Sequence, residues 1–196
     1  MGIKLKRVFI VHGWGGAPSE GWFPWLKSEL EKKGFKVNVL DIPDTQHPKI
    51  PAWVSTLSKA IGTPDEDTYL VGHSIGCQTI IRYLESLPVK EKIGGTVLVA
   101  AWVSLTGLDT GEEKNTAESW LSSHINFELV KKHSKKFSCV FSDNDPYVPR
   151  ENSGFFKDRL NARIIIEKGK GHFTGKGEDE VFELPSALKE LLEMAD

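Results

Sequence analysis

The stretch TYLVGHSIGCQTIIRYL, Thr68 to Leu84, decides the fold of this chain. Thr68 to Val71 has the β-branched, aromatic and aliphatic composition of a buried strand. From Ile75 to Leu87 the residues read as a helix, which Pro88 stops. The strand runs on through Gly72, so only His73 and Ser74 stand between the two. A strand that runs almost directly into a helix leaves Ser74 on a tight turn. Gly72 and Gly76 remove Cβ atoms that would clash there. The helix start at Ile75 points unpaired backbone N–H groups toward the serine hydroxyl. Gly72-His73-Ser74-Ile75-Gly76 therefore has the G-x-S-x-G form of a turn that exposes a serine nucleophile. Five such residues also arise by chance, so their meaning depends on what the rest of the chain supplies.

Outward from this stretch, strand and helix patterns alternate. RVFIV (7–11), FKVNVL (35–40), GTVLVA (95–100), FSCVFS (137–142) and ARIIIE (162–167) join TYLVG (68–72) as strands. Several are apolar at nearly every position, as strands buried on both faces are. Pro24 opens a helix to about Lys33 and Gly34 closes it. Pro51 opens another, with Trp53, Leu57 and Ile61 on one face. A helix over about 117–134, broken in the middle, one over about 150–160 after Pro149, and a terminal amphipathic LPSALKELLEMA complete the pattern. This alternation predicts an α/β fold: one domain over residues 1–196, about six parallel strands, helices on both faces. No repeat or linker suggests a second domain. The most irregular stretch, AWVSLTGLDTGEEKNTAE (101–118), reads as a surface loop or a small lid over the site.

In such a sheet, ligands bind beyond the carboxyl ends of the strands. The first strand is followed by His12-Gly13-Trp14-Gly15-Gly16 and the third by the Ser74 turn. The fifth is followed by SDNDPYVP, with Asp143 and Asp145, and the sixth by KGKGHF, with His172. A serine, a carboxylate and a histidine thus fall at one edge of one sheet. A serine hydroxyl is a poor nucleophile unless a base accepts its proton and a carboxylate orients that base. His172 fits the base. Asp145 is favoured over Asp143 as the acid, because Pro146 and Pro149 hold its loop rigid. The amides of Trp14 and Ile75 are the candidate donors to a developing oxyanion. Trp14 and Trp102 both follow strand ends and are expected to line the substrate pocket. Trp120 is a weaker candidate, on a helix that could cover the site. His12 is expected to brace the oxyanion loop and His73 to pack within the elbow. His47, His124 and His133 are expected in solvent, and Cys77 as a small buried group.

The chain order Ser…Asp…His is that of α/β-hydrolases. HGWGG, GHSIG, DPYVP and GHF together resemble that superfamily and, more narrowly, the small serine hydrolases of the retinoblastoma-binding protein 9 family. The likeness covers essentially the whole chain, including the Trp-rich EGWFPWLKSEL. It implies six parallel strands, little or no lid, no cofactor, and a triad of Ser74, Asp145 and His172. It also implies a serine hydrolase of carboxylesterase type acting on a small-molecule acyl substrate. Thioesterase or peptidase chemistry, or a catalytically weak protein-binding member, are the alternatives. The L-x-C-x-E string associated with retinoblastoma protein binding does not occur here, so no such partner is expected.

Composition agrees with an ordinary globular protein. Hydrophobic residues make up 39% and charged residues 27%, and the formal net charge of −2 gives no reason to expect nucleic acid as a partner. No apolar run approaches the ~20 residues of a membrane span. The N-terminal VFIV is too short for a signal peptide, and Lys6 stands where myristoylation of Gly2 would need Ser or Thr. Cys77 and Cys139 form no C-x-x-C, so neither a disulfide framework nor a zinc site is implied, and a cytoplasmic setting fits. Gly13 and Gly15, with Asp41 after the second strand, match part of a dinucleotide fingerprint. The third glycine would fall at Pro18, and the same turn is explained as an oxyanion loop.

Overall fold

The computed structural model describes residues 5–175 and 180–196; Gly2, considered above for myristoylation, lies outside them. Among these residues the chain runs through β1 (Arg7–Val11), α1 (Phe23–Lys32), β2 (Lys36–Val39), α2 (Ile50–Ile61), β3 (Thr68–His73), α3 (Ile75–Ser86) and β4 (Gly95–Val99). It continues with α4 (Gly111–Leu121), α5 (Phe127–His133), β5 (Phe137–Ser142), α6 (Glu151–Leu160), β6 (Arg163–Glu167) and α7 (Pro185–Ala195). The strands form one sheet in the order β2-β1-β3-β4-β5-β6. Every neighbouring pair is parallel.

That order places the site. From β1 the chain steps outward to β2, then crosses back over β1 to β3 and continues in one direction. The loops leaving β1 and β3 therefore turn opposite ways, and a crevice opens between them at the switch point. The register keeps the strand ends level, with Val11 opposite Gly72, His73 opposite Val99, and Ser142 opposite Glu167. β3, β4 and β5 are buried at every residue, which explains their predominantly apolar sequences. The edge strand β6 is only partly covered.

Helices cover both faces. α1 packs on α7, while α3 contacts α2 and α5, and α5 contacts α6. α3 is buried from Ile75 through Leu84, and Gly76 is why it can lie so close to the sheet. A Cβ at Gly76 would stand 2.4 Å from the Val11 carbonyl oxygen, closer than any side chain tolerates. Three tryptophans anchor the core, and each finds a carbonyl for its indole N–H. Trp22 donates to Phe173 (3.2 Å), Trp53 to Pro43 (3.1 Å) and Trp120 to Pro48 (3.0 Å).

Three sequence expectations need correction. Residues 111–118 are not loop: Thr110 and Glu113 form a capping box, which starts α4 at Gly111 and leaves only 101–110 irregular. Trp120 does not cover the site. It packs edge-on against Trp53 at 6.1 Å, inside the core. His133 is not in solvent; it is 2% exposed, with Nδ1 2.7 Å from the Glu91 carbonyl oxygen.

Candidate functional site

Ser74 sits at φ 52°, ψ −118°, a backbone conformation that a residue with a side chain adopts only under strain of about 1–3 kcal/mol. The strain persists because both flanks are fixed. The Ser74 N–H donates to Val99 at 2.9 Å, and the Ser74 carbonyl accepts from Cys77 at 2.9 Å. A Cβ at Gly72 would meet the Cys77 nitrogen at 2.8 Å, so this position requires glycine. The turn lifts the hydroxyl above the strand ends, at the switch point.

The structure brings Ser74, His172 and Asp145 into one line. His172 Nε2 lies 2.9 Å from Ser74 Oγ, and His172 Nδ1 lies 2.9 Å from Asp145 Oδ2 and 3.1 Å from Oδ1. The Asp145 side chain is 2% exposed. Its Oδ1 also accepts the N–H groups of Tyr147 (2.9 Å) and Val148 (3.1 Å), which hold the carboxylate in one orientation. Asp143 is elsewhere employed: its Oδ1 accepts the Gly169 N–H at 2.8 Å. Ser142 Oγ accepts from Lys170 at 2.9 Å and Asn144 Oδ1 from Gly171 at 2.8 Å. SDND is thus a row of acceptors that staples the histidine loop to the acid loop.

The neighbouring histidines are neutral supports. His73 Nε2 donates to the His172 carbonyl at 2.7 Å. Burial, reinforced by the nearby His172 ring, pushes its pKa down to about 3. The Ile42 N–H donates to His12 Nε2 at 3.3 Å, so Nδ1 carries the proton and donates to the Gly13 carbonyl at 2.9 Å. Burial also lowers the pKa of His12. His12 thereby braces the turn that carries Trp14. In that turn the amides of Gly15 and Gly16 donate to Thr45 and Gly13. No backbone hydrogen bond among the described residues takes the Trp14 N–H. Ile75 is the first residue of α3, where N–H groups have no partner within the helix. Cys77 is buried, its thiol donates to Val99 at 3.2 Å, and burial raises its pKa well above the ordinary value.

Ser74, His172, Trp14, Ile75 and Trp102 share one cavity of about 740 Å³, with Phe23, Leu105, Leu108, Tyr147 and Phe173 among its other walls. The two tryptophans singled out from sequence are therefore in its lining. Tyr147 was missed: its ring stands edge-on to His172 at 5.2 Å and is 40% exposed. Its place in DPYVP, two residues after the acid, was the available signal. Among the described residues, no group of three or more His, Cys, Asp or Glu is placed to hold a metal ion. Among them, too, no helix is long and apolar enough to cross a membrane.

A parallel sheet in this order, with a serine on the turn after β3, an aspartate after β5 and a histidine after β6, defines an α/β-hydrolase fold. The chain belongs to the serine hydrolase family, whose model matches residues 8–189. It is 32% identical to YdeN of Bacillus subtilis over 178 residues, which is 90% of this chain and 89% of YdeN. The crystal structure of the B. subtilis ydeN product superposes with a TM-score of 0.86, covering 97% of this chain and 98% of that one at 30% identity. The serine hydrolase RBBP9 of Rattus norvegicus is 27% identical over 194 residues, 98% of each chain. Est1E of Butyrivibrio proteoclasticus, at 17% identity, shares the fold with a TM-score of 0.72 over 98% of this chain and 89% of its own.

Proposed function

We propose that this serine hydrolase cleaves small acyl esters, in the manner of a carboxylesterase, through Ser74, His172 and Asp145. Ser74 Oγ attacks the ester carbonyl carbon while His172 Nε2 accepts the hydroxyl proton. The carbonyl oxygen takes up the electron pair and is stabilised by the Trp14 and Ile75 amides. Collapse of the tetrahedral species expels the alcohol, which receives the proton from His172 and leaves an acyl-Ser74. Water then attacks with His172 as base, releasing the carboxylic acid and restoring the serine. Asp145 keeps the imidazole in the tautomer that accepts at Nε2 and stabilises the imidazolium.

The observation that carries this reading is the unbroken line of hydrogen bonds from Ser74 to His172 to Asp145, each near 2.9 Å. The strained turn at Ser74 adds support, because strain of this kind concentrates at working sites. An open cavity of this size, with Trp14, Phe23, Trp102 and Leu105 among its walls, suits a small acyl compound. Turnover of p-nitrophenyl acetate and butyrate tests the proposal. The wild type should hydrolyse both, and His172→Ala should lose at least about a thousandfold in kcat/KM. Equal turnover by the two proteins would overturn it.

A further inference from the structure

Trp102 borders two cavities. One holds Ser74 and His172. The other, of about 490 Å³, is walled by Trp102 with Trp120, Phe127 and Phe155, and by the polar His124, Glu128 and Arg159. Trp102 is the residue the two linings share, and Ile75 of the first and Gln78 of the second stand within one turn of α3. Trp102 therefore stands between the two spaces, and it is only 2% exposed.

The partition is built to stay in place. The Gln78 side-chain amide donates to the Trp102 carbonyl. Asn152 Oδ1 accepts the next two N–H groups, Val103 at 2.7 Å and Ser104 at 3.1 Å, and its Nδ2 donates back to the Ser104 carbonyl at 3.1 Å. Gln78 and Asn152 are themselves each 1% exposed. Arg82 closes the network, donating to the Gln78 side chain and to the Trp120 carbonyl.

The partition also lies on a definite side of the serine. His172 belongs with the face of the sheet that carries α1: Trp22 donates to the Phe173 carbonyl, and Trp22 and Phe23 pack on His73. Trp102 is tied to α3, on the opposite face. His172 hands its proton to the leaving alcohol, so the alcohol sits on the His172 side. The acyl arm then extends the other way, toward α3 and Trp102.

We propose that Trp102 sets the acyl-chain length that the enzyme accepts, by closing the catalytic pocket off from the second cavity. The inference rests on the acyl-ester reading above. Short chains end against the indole; a longer linear chain needs the aromatic and aliphatic space beyond it.

The test is kcat/KM on p-nitrophenyl butyrate and decanoate for wild type, Trp102→Val and Trp102→Phe. The wild type should favour butyrate by at least about tenfold, since a pocket wall that stops a chain by one or two methylenes already discriminates on that scale. Trp102→Val should raise the decanoate-to-butyrate ratio by at least about tenfold, with Trp102→Phe moving it in the same direction by less. The ratio does not depend on how much of a variant is folded, and Trp102→Phe decides the matter where Trp102→Val fails to fold. A wild type without chain preference, or an unchanged ratio in the variants, overturns the proposal. Should no ester be turned over by any of the proteins, the acyl-ester reading fails, and calorimetric binding of decanoate decides the partition. Tighter binding by Trp102→Val supports it, and equal affinity overturns it.

Discussion

Replacing Asp145 by Asn changes one atom and should all but silence the enzyme. Oδ1 of Asp145 accepts two backbone N–H groups, from Tyr147 at 2.9 Å and Val148 at 3.1 Å. In the variant the amide oxygen must take that place, because an NH₂ group there would face two donors. The NH₂ then occupies the Oδ2 position, 2.9 Å from His172 Nδ1. Two N–H donors cannot face each other, so the imidazole shifts its proton to Nε2 and accepts at Nδ1. Nε2 now donates to Ser74 Oγ, 2.9 Å away, and cannot take the serine proton. A triad base held in the wrong tautomer loses about 10⁴ in kcat. That corresponds to about 5.5 kcal/mol of transition-state stabilisation. The hydrogen bonds are otherwise kept, so stability should change by no more than about 1–2 kcal/mol. Asp143→Asn is the control. Its carboxylate accepts the Gly169 N–H, and an amide oxygen can do the same, so activity should stay within about threefold of wild type. Steady-state p-nitrophenyl acetate hydrolysis, with a melting curve for each variant, reads both effects. Asp145→Asn within about tenfold of wild type, or a larger loss in Asp143→Asn, would show that the Asp145 carboxylate does not set the His172 tautomer.

Two further outcomes follow from the packing around the elbow. Gly76→Ala drives a Cβ to 2.4 Å from the Val11 carbonyl oxygen and 2.7 Å from that of His12, backbone atoms at and just beyond the end of β1. The expected loss is about 3 kcal/mol, a drop of about 6–12 °C in melting temperature by calorimetry; an unchanged midpoint would contradict the close approach. His73 is held neutral with a pKa near 3, whereas the unfolded chain takes up its proton near pH 6.5. The stability it contributes is therefore complete above about pH 6.5 and is lost as pH falls toward 3. Between pH 7 and 5 this amounts to about 2 kcal/mol, or about 4–8 °C in melting temperature, with His12 acting in the same direction. A flat melting temperature across that range would show that His73 is not buried in its neutral form.

Much of the fold was legible because its central strands are buried on both faces and so carry nearly pure apolar sequence. VFIV and TYLV announce themselves; the edge strand RIIIE differs only by its flanking charges. The three residues of the proposed triad could be picked out because each lies in the loop that follows a strand, where a parallel sheet puts its ligands. Side-chain reach was not legible. Nothing in the one-dimensional pattern says that His133 turns inward to the Glu91 carbonyl, or that Trp120 lies against Trp53 instead of over the site. α4 was missed at its start because TGLDTGEEKN has a single apolar side chain, Leu108. Its helix signal is the Thr110-x-x-Glu113 capping box rather than any apolar period. Trp102 was legible as a pocket residue, but its second face was not. That required the positions of α3 and α5, which meet it from residues far away in sequence.

Covalent labelling addresses most directly whether Ser74 is a nucleophile. The native protein is treated with a fluorophosphonate, digested, and read by peptide mass spectrometry. One adduct is expected, on Ser74, that forms in the wild type, is absent in Ser74→Ala and is slowed by at least about a thousandfold in His172→Ala. Equal labelling of wild type and Ser74→Ala, or a folded wild type that takes no label, would contradict it.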